Sequence, residues 1–279
     1  MMKRMRIAGA CLVAALALSA AGATSALAFT EEPPEVGRCL AHPGGRFKEG
    51  NCKAAAKVAS EQKYEWYPAF GPNGKGEEKT IEPSKRFYTA VSKELTVIKL
   101  ETVHGEGVTC KKQTSEGEYT GPKTNRAYKI VFTGCESAGI ACISTNPKAT
   151  NKGEILVKEL DGVIGIEKVG LTAGADKVAN LFAPVSGEVL TEFECGGLKL
   201  VVKGEVMVPI TANKMLTVQT VKFTATKGIQ KPLKFASDPT GTKRTLYAKN
   251  SKLEEFFQAG QTLTTVQTNL EKAEASSVS

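Results

Sequence analysis

Between about Arg86 and Asn269, segment after segment carries apolar residues at every second position, and this period more than any other feature limits what the chain can fold into. In Leu198 to Val208, one face carries Leu198, Leu200, Val202, Val206 and Val208, and the other Lys199, Lys203 and Glu205. In Glu188 to Cys195, Val189, Thr191, Phe193 and Cys195 face one way while Glu188, Glu192 and Glu194 face the other. Ala127 to Thr133 sets Tyr128, Ile130 and Phe132 against Lys129, Val131 and Thr133, and Leu95 to Val103 is rich in Val, Ile, Leu and Thr. Alternation of this kind is the mark of strands with one buried face.

Gly196-Gly197 reads as the hairpin turn between two of these strands. Met215 to Thr226 is expected to be a long strand with a bulge near Thr220, because its apolar parity switches there. Leu246-Tyr247, Phe256-Phe257 and Thr262 to Thr268 complete the β signal. No amphipathic helix intervenes, which excludes a βαβ parallel sheet. The expected class is all-β, an antiparallel sandwich or distorted barrel.

The N-terminus places this sheet outside the cytoplasm. Lys3, Arg4 and Arg6 precede an apolar run from Ile7 to Ala20, and Ala26-Leu27-Ala28 is a small-x-small cleavage site. Residues 1–28 therefore read as a secretory signal peptide. Roughly 250 residues follow, enough for one large domain with an appendage. No second apolar run has the length of a membrane span.

Cys11 leaves with the signal, and six cysteines remain: Cys39, Cys52, Cys110, Cys135, Cys142 and Cys195. An even number in an exported chain predicts disulfides. Spacing favours Cys39–Cys52 and Cys135–Cys142, which leaves Cys110–Cys195. Zinc is not expected, since Cys-x-x-Cys is missing and His42 and His104 are the only histidines.

Residues 29–70 read as a small disulfide-clipped module, 71–85 as a polar, glycine-rich linker, 86–270 as the β domain and 271–279 as a fraying tail. Lys53 to Ala59 has the composition of one or two helical turns.

The formal net charge is +8, but the basic residues are scattered among Glu, which argues against a nucleic-acid stripe. The only aspartates, Asp161, Asp176 and Asp238, lie far apart, so a calcium loop is not expected. Ser60-Glu61-Gln62-Lys63 matches Ser-x-x-Lys but lacks the accompanying Lys-Thr-Gly element. Gly-x-Ser-x-Gly, Gly-x-Gly-x-x-Gly, Walker and His-Glu-x-x-His motifs are missing as well. Glu192 and Glu194 share a strand face that alternates with the buried one, a poor start for a glycosidase pair. No cofactor is implied.

Tyr64, Trp66, Tyr67 and Phe70 form the one aromatic cluster. In an extended segment Tyr64 and Trp66 share a face, and such a pair could stack on sugar rings. Alternatively, Trp66 packs on the Cys39–Cys52 bridge and anchors the module.

Several segments resemble a group of uncharacterised secreted proteins of actinobacteria. They are Gly37-Arg38-Cys39, Gly45-Arg46-Phe47, Asn51-Cys52, Lys63-Tyr64-Glu65-Trp66, Val108-Thr109-Cys110, Gly117 to Thr124, Phe132-Thr133-Gly134-Cys135, Phe193 to Gly197 and Asn213-Lys214-Met215. The resemblance implies a shared exported, β-rich, cysteine-containing architecture and supplies no activity.

The expectation is a non-catalytic exported protein, secreted or envelope-associated, that binds or builds structure. Cell-wall polysaccharide or another envelope protein would be its partner, and Tyr64 and Trp66 its candidate contact. Two further readings are a hydrolase of envelope polysaccharide with a Glu-based site, and a barrel holding a small apolar ligand.

Overall fold

The computed structural model describes residues 34–68, 86–170, 176–210, 216–236, 238 and 240–276. The signal peptide 1–28, Phe70 and the expected linker lie outside the described residues. In chain order the strands begin with β1 (Glu35–Ala41), β2 (Tyr64–Pro68), β3 (Phe87–Ser92), β4 (Ile98–Thr102), β5 (Gly107–Cys110) and β6 (Lys112–Tyr119). Next come β7 (Thr124–Thr133), β8 (Glu136–Ser137), β9 (Ile140–Ser144), β10 (Ile155–Val157), β11 (Leu160–Lys168) and β12 (Lys177–Pro184). The last seven are β13 (Val189–Cys195), β14 (Leu198–Gly204), β15 (Val206–Pro209), β16 (Leu216–Thr226), β17 (Ile229–Lys231), β18 (Leu246–Asn250) and β19 (Phe257–Ser276).

Eight antiparallel strands close into a barrel. Around the ring, β4 pairs with β5, β5 with β8, β8 with β9 and β9 with β13. From there β13 pairs with β14, β14 with β18, β18 with β19, and β19 returns to β4. Closure leaves this ring without a free edge. A second antiparallel sheet runs β15, β12, β11, β7, β6, β3, β19, β16.

β19 joins the two. Its Ala259–Thr262 stretch pairs with β4, and Leu263–Thr268 pairs with β16. On the other side, the segment expected to be one strand from Leu198 to Val208 breaks at Glu205. Its first half, β14, stays in the barrel, and β15 pairs with β12 of the second sheet. The expected class is therefore realised as a distorted barrel with an added sheet.

The main core lies between these layers and contains Phe193, Leu190, Val202, Val206, Leu246 and Ile155. The period-two faces hold in β13, where Thr191, Phe193 and Cys195 are buried and Glu194 is exposed. A register shift between Val189 and Thr191 buries Leu190 as well. Gly196 and Gly197 take φ of 59° and 83° in the β13–β14 turn, a left-handed pair that suits glycine.

Two expectations are corrected by bulges. Gly117 pairs with Ala127 while Glu116 pairs with Lys129, so Tyr128 is the extra residue. Its side chain points to solvent, whereas Ile130 and Phe132 keep their place against the core. In β16 the register runs unbroken from Val218 to Phe223, so no bulge occurs at Thr220. The irregularity falls between Leu216 and Val218, with the additional residues on β19, and both side chains stay on the outer face.

Two local expectations also change. Lys53 to Ala59 does not become a helix: Ala55 bridges to Phe47, and only Ala59–Glu61 forms a 3-10 turn. Residues 271–276, expected to fray, continue β19, and Glu35 to Gly37 of β1 pair with Ser276 to Glu274. That pairing hydrogen-bonds the N-terminal module to the longest strand of the fold.

Three disulfides are present. Cys39–Cys52 is as expected, with a Cα–Cα distance of 5.6 Å. The other two are Cys110–Cys135 and Cys142–Cys195, which replaces the expected Cys135–Cys142 and Cys110–Cys195. The reason is strand register. Cys142 lies directly opposite Cys195 in the β9–β13 pair. Thr109 lies opposite Glu136 in the β5–β8 pair, which brings Cys110 across from Cys135, with Cα atoms 3.9 Å apart. Cross-strand adjacency outweighs short sequence separation because a disulfide needs Cα atoms within about 7 Å. Three such bonds fit an oxidising environment.

Candidate functional site

Where the closed barrel meets the added sheet, the core is incompletely filled and leaves a cavity of about 150 Å³. Both layers line it. The barrel contributes Ile98, Leu100, Val108, Phe193, Val202 and Leu246; the added sheet contributes Ala90, Ile130, Phe132, Phe182, Val221 and Phe223. The alternation in these strands turns the lining residues inward by the same rule that builds the core.

One side of the cavity is polar. Tyr88, Gln113, Ser115 and Gln267 reach it from β3, β6 and β19. Behind them lies a buried hydrogen-bond network. The Tyr88 hydroxyl donates to Asn125 Oδ1 at 3.4 Å or to the Arg126 carbonyl at 3.3 Å. Asn125 and Asn180 exchange reciprocal amide bonds of 3.2 Å. Gln267 Nε2 donates to Asn269 Oδ1 at 2.8 Å and to the Tyr119 hydroxyl at 3.3 Å.

Burial, reinforced by the neighbouring Tyr119, pushes the Tyr88 phenol far above its ordinary pKa. Burial likewise pushes Tyr119 up to about 12, with the Gln267 and Asn269 hydrogen bonds opposing it. Both phenols are neutral at any physiological pH and offer no anionic nucleophile. Lys99 also lines the cavity, but its ammonium is paired with Glu101. The lining therefore suits a neutral guest, since a charged one would lose its hydration without a free counter-ion.

The aromatic pair singled out in the sequence lies in the N-terminal module, and it is not an open platform. Trp66 is only 7% exposed and packs with Phe47, Cys52, Cys39 and Tyr64. β1 and β2 pair Cys39 directly with Trp66, which sets the indole against the bridge. Gly37 makes room for it, since a Cβ there would stand 2.7 Å from Trp66 Cζ2. Tyr64 is half-buried in the same cluster. Stacking of Trp66 on a sugar ring would require the indole to leave this core.

Glu65, between the two, is held near Arg46. Burial pushes its carboxyl up, but the Arg46 backbone N–H and guanidinium and the Trp66 N–H outweigh burial and hold it below the ordinary carboxylate value.

The remaining candidates do not converge on catalysis. Glu192 forms an ion pair of 2.8 Å with Lys199 on the barrel exterior, and Glu194 is exposed beside it. His42 Nδ1 lies 3.0 Å from the Tyr67 hydroxyl, and His104 packs edge-on against Phe257. Ser60 and Lys63 are both exposed near the 3-10 turn. Among the described residues, no group of three His, Cys, Asp or Glu side chains could hold a metal ion.

Sequence reasoning did not single out the polar cavity residues. β6 reads Lys-Gln-Thr-Ser-Glu-Gly-Glu-Tyr and carries no apolar alternation. Its inward positions, Gln113, Ser115, Gly117 and Tyr119, are polar, small or aromatic, so only the small-or-polar alternation with Glu116 and Glu118 marks it as a strand.

Fold and site together define a disulfide-bonded antiparallel β-barrel protein with an internal, mainly apolar cavity. Comparison of the chain with protein-family models, with curated proteins and with solved structures returns no match.

Proposed function

We propose that this protein is an exported, non-catalytic binding protein that holds one small, largely apolar molecule between its barrel and the added sheet. Of the readings the sequence left open, the barrel with an apolar ligand has the most direct support, and the cavity carries it. A cavity of this size with a largely aliphatic and aromatic lining has room for a benzene-sized guest. The mainly apolar lining, whose Lys99 is paired with Glu101, and the outward placement of Glu192 and Glu194 support a binder over a polysaccharide hydrolase.

The signal-like residues 1–28 and the three disulfides support export, with the mature protein secreted or held in the cell envelope. The resemblance to secreted actinobacterial proteins is consistent with that location. A surface role for the Tyr64–Trp66 segment toward cell-wall polysaccharide has less support, because Trp66 is packed on the bridge.

Thermal unfolding with and without benzene tests the proposal. Binding to the native state alone raises the midpoint with ligand concentration. A rise that grows with the logarithm of benzene concentration is expected, and it should vanish when Ala90, a cavity-lining residue, is replaced by Leu. An unchanged midpoint at benzene saturation would overturn the binding reading.

A further inference from the structure

Four polar side chains that line the cavity make hydrogen bonds within the protein. Thr191 Oγ1 donates to the Leu156 carbonyl at 2.7 Å, and Thr265 Oγ1 to the Val221 carbonyl at 3.5 Å. Tyr88 and Gln267 are engaged in the network described above.

Gln113 differs. It is 4% exposed, its backbone N–H donates to Ser92 Oγ at 3.0 Å, and its place opposite Phe132 fixes it on the cavity side of β6. Its side-chain Oε1 is buried and has no hydrogen-bond partner among the described residues. A buried amide oxygen left without a donor is costly, and folded proteins seldom retain one unless something else meets it. Ser115, two residues along and on the same face, adds a hydroxyl to the same wall. Opposite them stand the aliphatic and aromatic side chains of the barrel.

We infer that the natural guest is a neutral molecule of about benzene size carrying one hydroxyl, a small phenol or alcohol, whose O–H donates to Gln113 Oε1 while its hydrocarbon body fills the apolar side. This rests on the cavity-binding reading and specifies its ligand class. The surrounding side chains agree with it. The neutral tyrosines and the ion-paired Lys99 offer nothing to a carboxylate or an ammonium, and a pure hydrocarbon would leave Oε1 unmet.

The test compares two guests of equal size, toluene and phenol, by titration calorimetry on the intact protein. Phenol gives up hydration of its hydroxyl on entry, so in a wholly apolar cavity it binds far more weakly than toluene. With Gln113 as acceptor, phenol should bind within a factor of about three of toluene, or more tightly. The Gln113→Leu variant should weaken phenol at least about tenfold and leave toluene within about threefold. Toluene binding with phenol weaker by more than that factor overturns the assigned role of Gln113 and leaves the cavity reading standing. Binding of neither guest removes the cavity reading and this inference together. The wild-type comparison decides the matter without the variant, so a folding defect in Gln113→Leu does not protect the idea.

Discussion

Filling the cavity should stabilise the protein while abolishing its capacity for a guest, and Ala90→Leu is the substitution that tests this. Ala90 is buried on β3 between Gln267 of β19 and Ser115 of β6, with its methyl group on the cavity wall. At about 24 cal/mol per Å³, a void of 150 Å³ corresponds to about 3.6 kcal/mol of unrealised packing, the ceiling for any filling substitution. Leu adds three carbons, which at about 0.8 kcal/mol per buried CH₂ gives about 2.4 kcal/mol before losses to rotamer restriction. A net gain of about 1–2 kcal/mol is expected, or a rise in melting midpoint of about 2–8 °C for a domain of this size. Guanidinium unfolding of wild type and variant, followed by circular dichroism, measures it. A loss above about 1 kcal/mol would show that the new side chain strains a filled core, and the cavity argument would fail with it.

Four further outcomes follow from the same structure. Non-reducing peptide mapping should link Cys110 to Cys135 and Cys142 to Cys195; recovery of Cys135 joined to Cys142 contradicts the strand register described for the barrel. Replacing Cys142 and Cys195 together should cost about 4 kcal/mol in unfolding free energy, given the sequence separation of 53 residues, against about 3 kcal/mol for the Cys39–Cys52 pair. Trp66→Ala should cost about 3–5 kcal/mol, and in the wild type the fluorescence of this sole tryptophan should be blue-shifted and poorly quenched by acrylamide; an emission maximum like that of free indole in water contradicts its burial. Glu65 is held below the ordinary carboxylate value of 4.5, so its contribution to stability is complete above that pH and is lost as pH falls through its lowered folded value. Acid titration of Glu65→Gln should then show a weaker destabilisation below pH 4.5 than wild type, and coincident curves would remove the Arg46–Glu65 contact from the account.

The strand faces around Phe193 and Val202 were legible because a half-buried strand must alternate, and alternation is written directly into residue order. Bulges were not, because an extra residue such as Tyr128 is defined by what the partner strand does opposite it. The same holds for the cysteines: Cys142 and Cys195 are neighbours only once β9 and β13 are in register, while Cys39 and Cys52 are joined across one short loop.

The site was harder to read than the fold. Its apolar half looked like core, and a cavity is the space that core residues fail to fill, a property of volumes rather than of any motif. Its polar half lies on β6, where Gln113 and Ser115 occupy inward positions that give no hydrophobic signal. Trp66 stood out because large aromatics are rare here, yet its task is to complete a small core that Phe47 and one disulfide could not fill alone.

The central claim is that the core between the barrel and the added sheet holds an accessible apolar void. Diffraction from crystals of the protein pressurised with xenon tests it directly. The account predicts a bound xenon atom in contact with Phe193, Val202 and Leu246, with the surrounding side chains unmoved. Continuous side-chain density filling that space, with no xenon bound between the two layers, would contradict it.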